Sequence, residues 1–220
     1  MKTAMIFAAG RGERLKPLTD ACPKALCTVR GTPLIEYHIQ HLADAGFNTI
    51  VINIAHLGSM IRDYLGNGSR WNINILYSPE PPGALETGGA LVNARHLLGD
   101  ERFVTVNADI VTDYDFSKLS LPKESIAHLV LVNQPSYYAH ADFGLSENGL
   151  LSLENKHYTF SGIACYSPRI FDNLKPGRFS ITPVIKQQIE NQRVSREIYS
   201  GQWIDIGSPE RLESASQLVP

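Results

Sequence analysis

The chain has 220 residues, 43% of them hydrophobic, and 20 basic against 22 acidic side chains give a formal charge of −2. That length and apolar content predict one domain with one substantial core, and the near balance of charge excludes a bulk nucleic-acid or membrane-surface binder. No apolar run approaches the roughly 20 residues that cross a bilayer, and the N-terminal apolar stretch ends at Gly10-Arg11, too soon for a signal peptide.

Thr3 to Phe7 reads as a buried strand, and Pro33 to Ala45 as a helix with Leu34, Ile35, Ile39, Leu42 and Ala45 near a 3.6 period, stopped by Gly46. Thr49 to Asn53 is a second strand, Leu57 to Leu65 a second helix and Ile73 to Tyr77 a third strand. After a loop from Pro79 to Gly83, Thr87 to Leu98 is helical and Arg102 to Asn107 is a fourth strand. Alternating strand and helix predicts a parallel sheet covered on both faces.

From Ala127 the pattern changes. Ala127 to Asn133, Asp142 to Leu145, Leu150 to Glu154 and Phe160 to Tyr166 are strand-like, with turns such as Glu147-Asn148-Gly149, and predict antiparallel pieces. Ile181 to Glu190 reads as a helix, Trp203 to Ile206 as a strand, and Ser208 to Leu218 as a final helix with Ser208 at its N-cap and Pro209 at its first position. The division is a nucleotide-binding half over about 1–110 and a sugar-binding half over about 111–220 of one domain. Cys22, Cys27 and Cys165 form no even framework, which fits a reduced, cytoplasmic setting and not a zinc site.

The first strand runs into a loop of glycines and cations: Ala8, Ala9, Gly10, Arg11, Gly12, Glu13, Arg14, Leu15, Lys16, Pro17, Leu18, Thr19, then Pro23 and Lys24. Small residues let backbone N–H groups approach phosphate oxygens, and the cations oppose polyphosphate charge. Lys24 comes fourteen residues after Gly10, so this is not the P-loop spacing, and Leu15 stands where the dinucleotide fingerprint has its third glycine. Pro17 and Pro23 argue against a helix opening after the loop and predict an extended segment. Asp109, just past the fourth strand, sits where open α/β sheets bind ligands. Asp205, between Ile204 and Ile206, is a charge that needs a partner or a metal.

The run from Ala8 to Lys24 resembles the signature of sugar-1-phosphate nucleotidylyltransferases, G-x-G-T-R-L-x-P-L-T followed by P-K, with Glu13 in place of the usual Thr. Gly31-Thr32-Pro33-Leu34-Ile35 resembles a further segment of that family. Glu13, Leu85-Glu86-Thr87-Gly88-Gly89 and Thr159-Phe160-Ser161-Gly162-Ile163 are most similar to the branch that transfers uridylyl groups to N-acetylmuramate 1-phosphate in cell-wall recycling.

The resemblance implies a three-layer α/β/α, Rossmann-like fold of GT-A type with a mixed, mainly parallel sheet. It implies UTP and a sugar 1-phosphate as substrates, with no nucleic-acid or membrane partner, and Mg2+ held by Asp109 and Asp205; magnesium commonly binds one or two carboxylates plus substrate phosphates. Arg14, Lys24 and Asp109 take the catalytic roles. Ala8, Ala9, Gly10, Arg11, Gly12, Glu13, Glu80, Glu86, Thr87, Gly88 and Asn107 surround the nucleotide, and Asp142, Gly144, Glu154, Ser161 and Gly162 the sugar. Glu154-Asn155-Lys156-His157 departs from the family's Glu-Lys-Pro, and Lys156, His157 and Arg178 are equal candidates to meet a sugar carboxylate. The attacking phosphate is already anionic, so no general base is required. Mannose 1-phosphate with GTP is the alternative substrate pair, and a non-catalytic sugar-nucleotide sensor the alternative of another class; the full phosphate and metal set argues against the sensor.

Overall fold

The computed structural model describes residues 2–218. Its strands are β1 (Thr3–Phe7), β2 (Thr49–Ile54), β3 (Asn74–Pro79), β4 (Phe103–Asn107), β5 (Ile110–Thr112), β6 (Ala127–Asn133), β7 (Tyr158–Tyr166), β8 (Val194–Tyr199) and β9 (Trp203–Asp205). The helices that cover them are α1 (Leu34–Asp44), α2 (Gly58–Leu65), α3 (Glu86–Leu98), α4 (Thr182–Glu190) and α5 (Pro209–Ala215). Seven strands form one sheet in the order β8-β6-β7-β4-β1-β2-β3, and β5 pairs with β9 beside it. Within the large sheet β7 alone runs antiparallel to its neighbours.

Strand alternation divides the core between the two faces. Ala4, Ile6, Ile50 and Ile52 point to the side where α1 and α2 bury Ile35, Ile39, Leu42, Ile61 and Leu65. Met5 and Val51 point to the other, against Ala90, Leu91 and Ala94 of α3 and Ile185 and Ile189 of α4. The result is a mixed, mostly parallel sheet between helical layers. A third cluster packs Leu15, Cys27, Val29 and Leu34 on Ile204, Ile206 and Ala215, so the glycine-cation loop is fastened to α5.

Ser208 caps α5 as the sequence predicts, its hydroxyl accepting from Arg211 N, and Pro209 opens the helix. Two expectations need correction, and one strand gave no readable signal. The segment after the glycine loop is not extended: it coils into 3-10 turns at Glu13–Leu15 and Lys24–Leu26 around a short helix, Leu18–Ala21, because each turn is too brief for the prolines to disrupt. Leu150 to Glu154 contributes only Leu151–Ser152, paired with Gly144–Leu145. The expected antiparallel pieces are present, β7 within the large sheet and Leu151–Ser152 on Gly144–Leu145 outside it, while β8 rejoins the large sheet in parallel. β8 itself, Val-Ser-Arg-Glu-Ile-Tyr, escaped the pattern because its central Arg196 and Glu197 interrupt the apolar run, Arg196 donating to the Gly149 carbonyl and Glu197 facing His128.

His38 on α1 is wholly buried, its Nε2 lying 2.9 Å from the Ile110 carbonyl oxygen and its Nδ1 without a partner. Burial lowers its pKa from 6.5 to about 4. The unfolded chain therefore takes up this proton first, so the contribution is complete above the unfolded value and is lost as pH falls from 6.5 toward 4. We predict that wild type loses on the order of 3 kcal/mol more unfolding free energy than His38→Gln across that interval, by urea titration at several pH values. Parallel pH profiles would refute this.

Candidate active site

The carboxyl ends of β1, β2 and β4 lie in register, Phe7 opposite both Asn53 and Asn107, and open into a cleft of about 800 Å³. Ala8, Ala9, Gly10, Arg11, Glu13, Lys24, Glu80, Glu86, Thr87, Asn107 and Asp109 line it, joined by Asn53, His56 and Arg178. Gly12, Arg14 and Gly88 lie outside this lining, as do the five sugar residues and Asp205.

Within the loop, glycine serves two purposes. A Cβ at Gly10 would meet no protein atom within 4 Å, so the backbone there is open to a ligand. Gly12 has φ +71, and a Cβ would stand 2.9 Å from Thr19 Cγ2 and 3.1 Å from Lys24 Cβ, so glycine permits both the turn and the approach of Lys24. Glu13 binds Arg11 Nε at 2.7 Å and Lys16 Nζ at 2.6 Å, and Lys16 in turn lowers its pKa. The residue that departs from the family pattern thus neutralises two of the loop's cations. Arg14 is exposed and has no side-chain partner among the described residues.

Lys24, mostly buried, reaches across to pair with Asp109. Asp109 in turn accepts from Ile206 N at 2.7 Å through its backbone oxygen, and Asp205 pairs with Ile110 across β9 and β5. The segments that carry the two carboxylates predicted for metal are neighbours, and each carboxylate already holds a cation: Lys24 on Asp109 Oδ2, and Arg211 Nη1 on Asp205 Oδ1 at 2.5 Å. Burial, then the Asp205 carboxylate, pushes the Tyr138 phenol well above its ordinary pKa.

On the base side Glu80 is fully engaged. Its Oε2 accepts from Leu85 N at 2.7 Å and its Oε1 from Asn53 Nδ2 at 2.7 Å, while Asn53 Oδ1 accepts from Ala8 N at 2.8 Å. This relay ties the turn before α3 to the phosphate loop and commits the Ala8 N–H. Sequence reading missed Asn53, although a polar residue ending the apolar run Thr-Ile-Val-Ile repeats the pattern that marks Asn107. Thr87 does not cap α3: Leu85 holds that position, and Thr87 Oγ1 accepts from Ile181 N. Gly88 and Gly89 both donate to the Phe179 carbonyl, and a Cβ on either would overlap the Gly177–Phe179 segment. Arg178 of that segment faces Glu86 at 3.4 Å across the mouth of the cleft, whereas Lys156 and His157 are exposed outside it.

The sugar residues are placed by backbone demands. A bulge in β7 sets Gly162 at φ +88 against the Asn107 side chain. Ser161 turns its hydroxyl into the sheet, donating to the Val130 carbonyl, and Trp203 Nε1 donates to the Ser161 carbonyl. Asp142 Oδ2 accepts from Phe160 N at 2.9 Å, Gly144 leaves room for the Glu154 and Asn155 carbonyls, and Glu154 is exposed.

A sheet of this topology with a glycine-cation loop and adjoining carboxylates defines a nucleotide-handling transferase. The chain belongs to the nucleotidyl transferase family, whose model matches residues 3–220, and is an enzyme of the sugar-1-phosphate nucleotidyltransferase type. It is 44% identical over 98% of its length, and 97% of the relative, to an N-acetylmuramate alpha-1-phosphate uridylyltransferase of Neisseria meningitidis. A relative of that same description from Caulobacter vibrioides is 28% identical over 99% of this chain and 97% of its own. In fold the chain resembles a Bacillus anthracis protein crystallised with sucrose, at TM-score 0.86 and 22% identity over 99% of this chain and 95% of that one.

The two kinds of glycine give opposite predictions. Gly89→Ala should cost about 1–3 kcal/mol of stability by overpacking against the Gly177 carbonyl. Gly10→Ala should unfold at the wild-type midpoint yet bind nucleoside triphosphate more weakly. Denaturant unfolding with a nucleoside triphosphate titration checks both, and a destabilised Gly10→Ala with normal nucleotide binding would contradict the assignment.

Proposed function

We propose that the enzyme transfers a uridylyl group from UTP to N-acetylmuramate 1-phosphate, releasing pyrophosphate, in the cytoplasm. The observation that carries this reading is the meeting of Lys24 with Asp109 at the carboxyl end of β4, beside Asp205 and at the edge of the loop-lined cleft. The similarity to the Neisseria relative supports the choice of substrates.

The metal would be Mg2+. The donors fit it, being hard carboxylate oxygens from the turn before β5 and the end of β9, and each carboxylate keeps one oxygen not engaged by its cation. Among the described residues no group of three or more potential ligands assembles, which suits a site completed by substrate phosphates. When bound, the ion supplies positive charge against the triphosphate and the incoming sugar phosphate.

The remaining chemistry belongs to the side chains. The open backbone at Gly10 receives phosphate oxygens, with Arg11, Gly12 and Glu13 shaping that loop. Lys24, held ready by Asp109, swings to the α-phosphate as the sugar phosphate approaches, and Arg14 stabilises the departing pyrophosphate. Ala9, Glu80, Glu86, Thr87 and Asn107 form the walls around uridine, with Ala8 and Gly88 fixing those walls through the backbone. Gly144 admits the Glu154 and Asn155 carbonyls and Gly162 the Asn107 side chain, which with Asp142, Glu154 and Ser161 shape the strand ends around the sugar. The sugar phosphate attacks the α-phosphorus directly, in line with the leaving pyrophosphate, so positioning and charge neutralisation do the work.

Lys24→Ala should lower kcat by about 10²–10³, the usual cost of one preorganised donor. Pyrophosphate release should be greatest for UTP with N-acetylmuramate 1-phosphate when five nucleoside triphosphates are crossed with the 1-phosphates of N-acetylmuramate, N-acetylglucosamine, mannose and glucose. Preference for another pair would overturn the substrate assignment, and normal turnover of Lys24→Ala would overturn its role.

A further inference from the structure

Arg211, on the first turn of α5, folds back to place Nη1 2.5 Å from Asp205 Oδ1, and both side chains are largely buried. Three features build this contact. Gly207 lies under the guanidinium: a Cβ there would overlap Nη2 and stand 2.9 Å from Asp205 Oδ2. Tyr137 and Tyr138 approach the guanidinium with ring centroids 4.6 Å and 5.8 Å away, and meet each other edge to face at 5.1 Å. Gln134 Nε2 donates to the Tyr138 carbonyl at 2.7 Å, which fixes the loop that carries both rings. A surface ion pair needs none of this, and an aromatic bracket of this kind strengthens as it is desolvated.

We propose that Arg211 is a positioning residue for the divalent cation: it fixes Asp205 by Oδ1 and leaves Oδ2 as the metal donor, while Tyr137 and Tyr138 fix Arg211. The inference rests on the reading of Asp205 as a metal ligand. Its sign separates it from simple electrostatics. Removing a cation beside a metal site strengthens metal binding by Coulomb's law, whereas removing an outer-shell partner that orients a ligand weakens it, typically 10–100-fold.

The test is Mn2+ affinity of the intact protein with a non-hydrolysable UTP analogue bound, read as loss of the free-ion electron paramagnetic resonance signal beyond that caused by the analogue alone, with a thermal melt of each variant. Arg211→Met should bind Mn2+ at least about tenfold more weakly than wild type, with Arg211→Lys in between because it keeps the charge but not the fork. Tyr137→Leu/Tyr138→Leu, which leaves Arg211 in place, should weaken binding by a smaller factor in the same direction. Asp205→Asn should lose binding. Unchanged or tighter binding by Arg211→Met, with Asp205→Asn defective, would overturn the role of Arg211 alone. No Mn2+ binding by wild type, or full binding by Asp205→Asn, would overturn the metal reading and this inference together. Should Arg211→Met fail to fold, the Arg211→Lys and double tyrosine variants decide the matter, wild-type affinity in both counting against it.

Discussion

The site depends on the pairing of Lys24 with Asp109. A loop that is to bind a triphosphate must concentrate cations, and cations crowded without counter-charge repel one another and loosen the loop. Here all but Arg14 are given an acid. Lys24 has Asp109, Arg11 and Lys16 share Glu13, and Asp20 stands within 4 Å of both of the latter. Charge is thereby held near neutrality while every cation stays within reach of the cleft, and a triphosphate arriving there exchanges one anionic partner for another. Arg14 stands apart as the cation with no such side-chain partner among the described residues.

That pairing also joins distant parts of the chain. Lys24 comes from the loop after β1, Asp109 from the end of β4, and the Asp109 carbonyl receives the N–H of Ile206 from beyond β9. The parallel order of β4, β1 and β2 puts their carboxyl ends together, and the Glu80-Asn53-Ala8 relay then locks the base side to the phosphate side. Fold and site are thus one construction: moving any of these strands by a register step would separate Asn53, Phe7 and Asn107.

Much of this was legible in the sequence. β1, β2, β4, β6 and the helices α1 and α2 showed themselves because buried strands and amphipathic helices leave strong sequence signals. Asp109 stood out by position, and Asp205 by being a charge among isoleucines. What escaped depended on partners far along the chain. β8 has Arg196 and Glu197 where a buried strand would have apolar residues, Arg211 looked like an ordinary helix charge, and the Gly88-Gly89 pair gave no hint that Phe179 would close on it. The phosphate loop was recognisable by composition, yet its coiled path was not, since prolines at Pro17 and Pro23 punctuate short turns as readily as extended chain.

In the proposed mechanism no side chain attacks phosphorus: Lys24, Arg14 and the carboxylates position and neutralise, and the sugar phosphate supplies the nucleophile. The stereochemical course at the α-phosphorus tests this most directly, using UTP made chiral there by sulfur substitution and following its configuration into the nucleotide sugar. A single in-line displacement predicts inversion. Retention would require two displacements through a nucleotidyl group carried on the protein, and would contradict the mechanism proposed for this site.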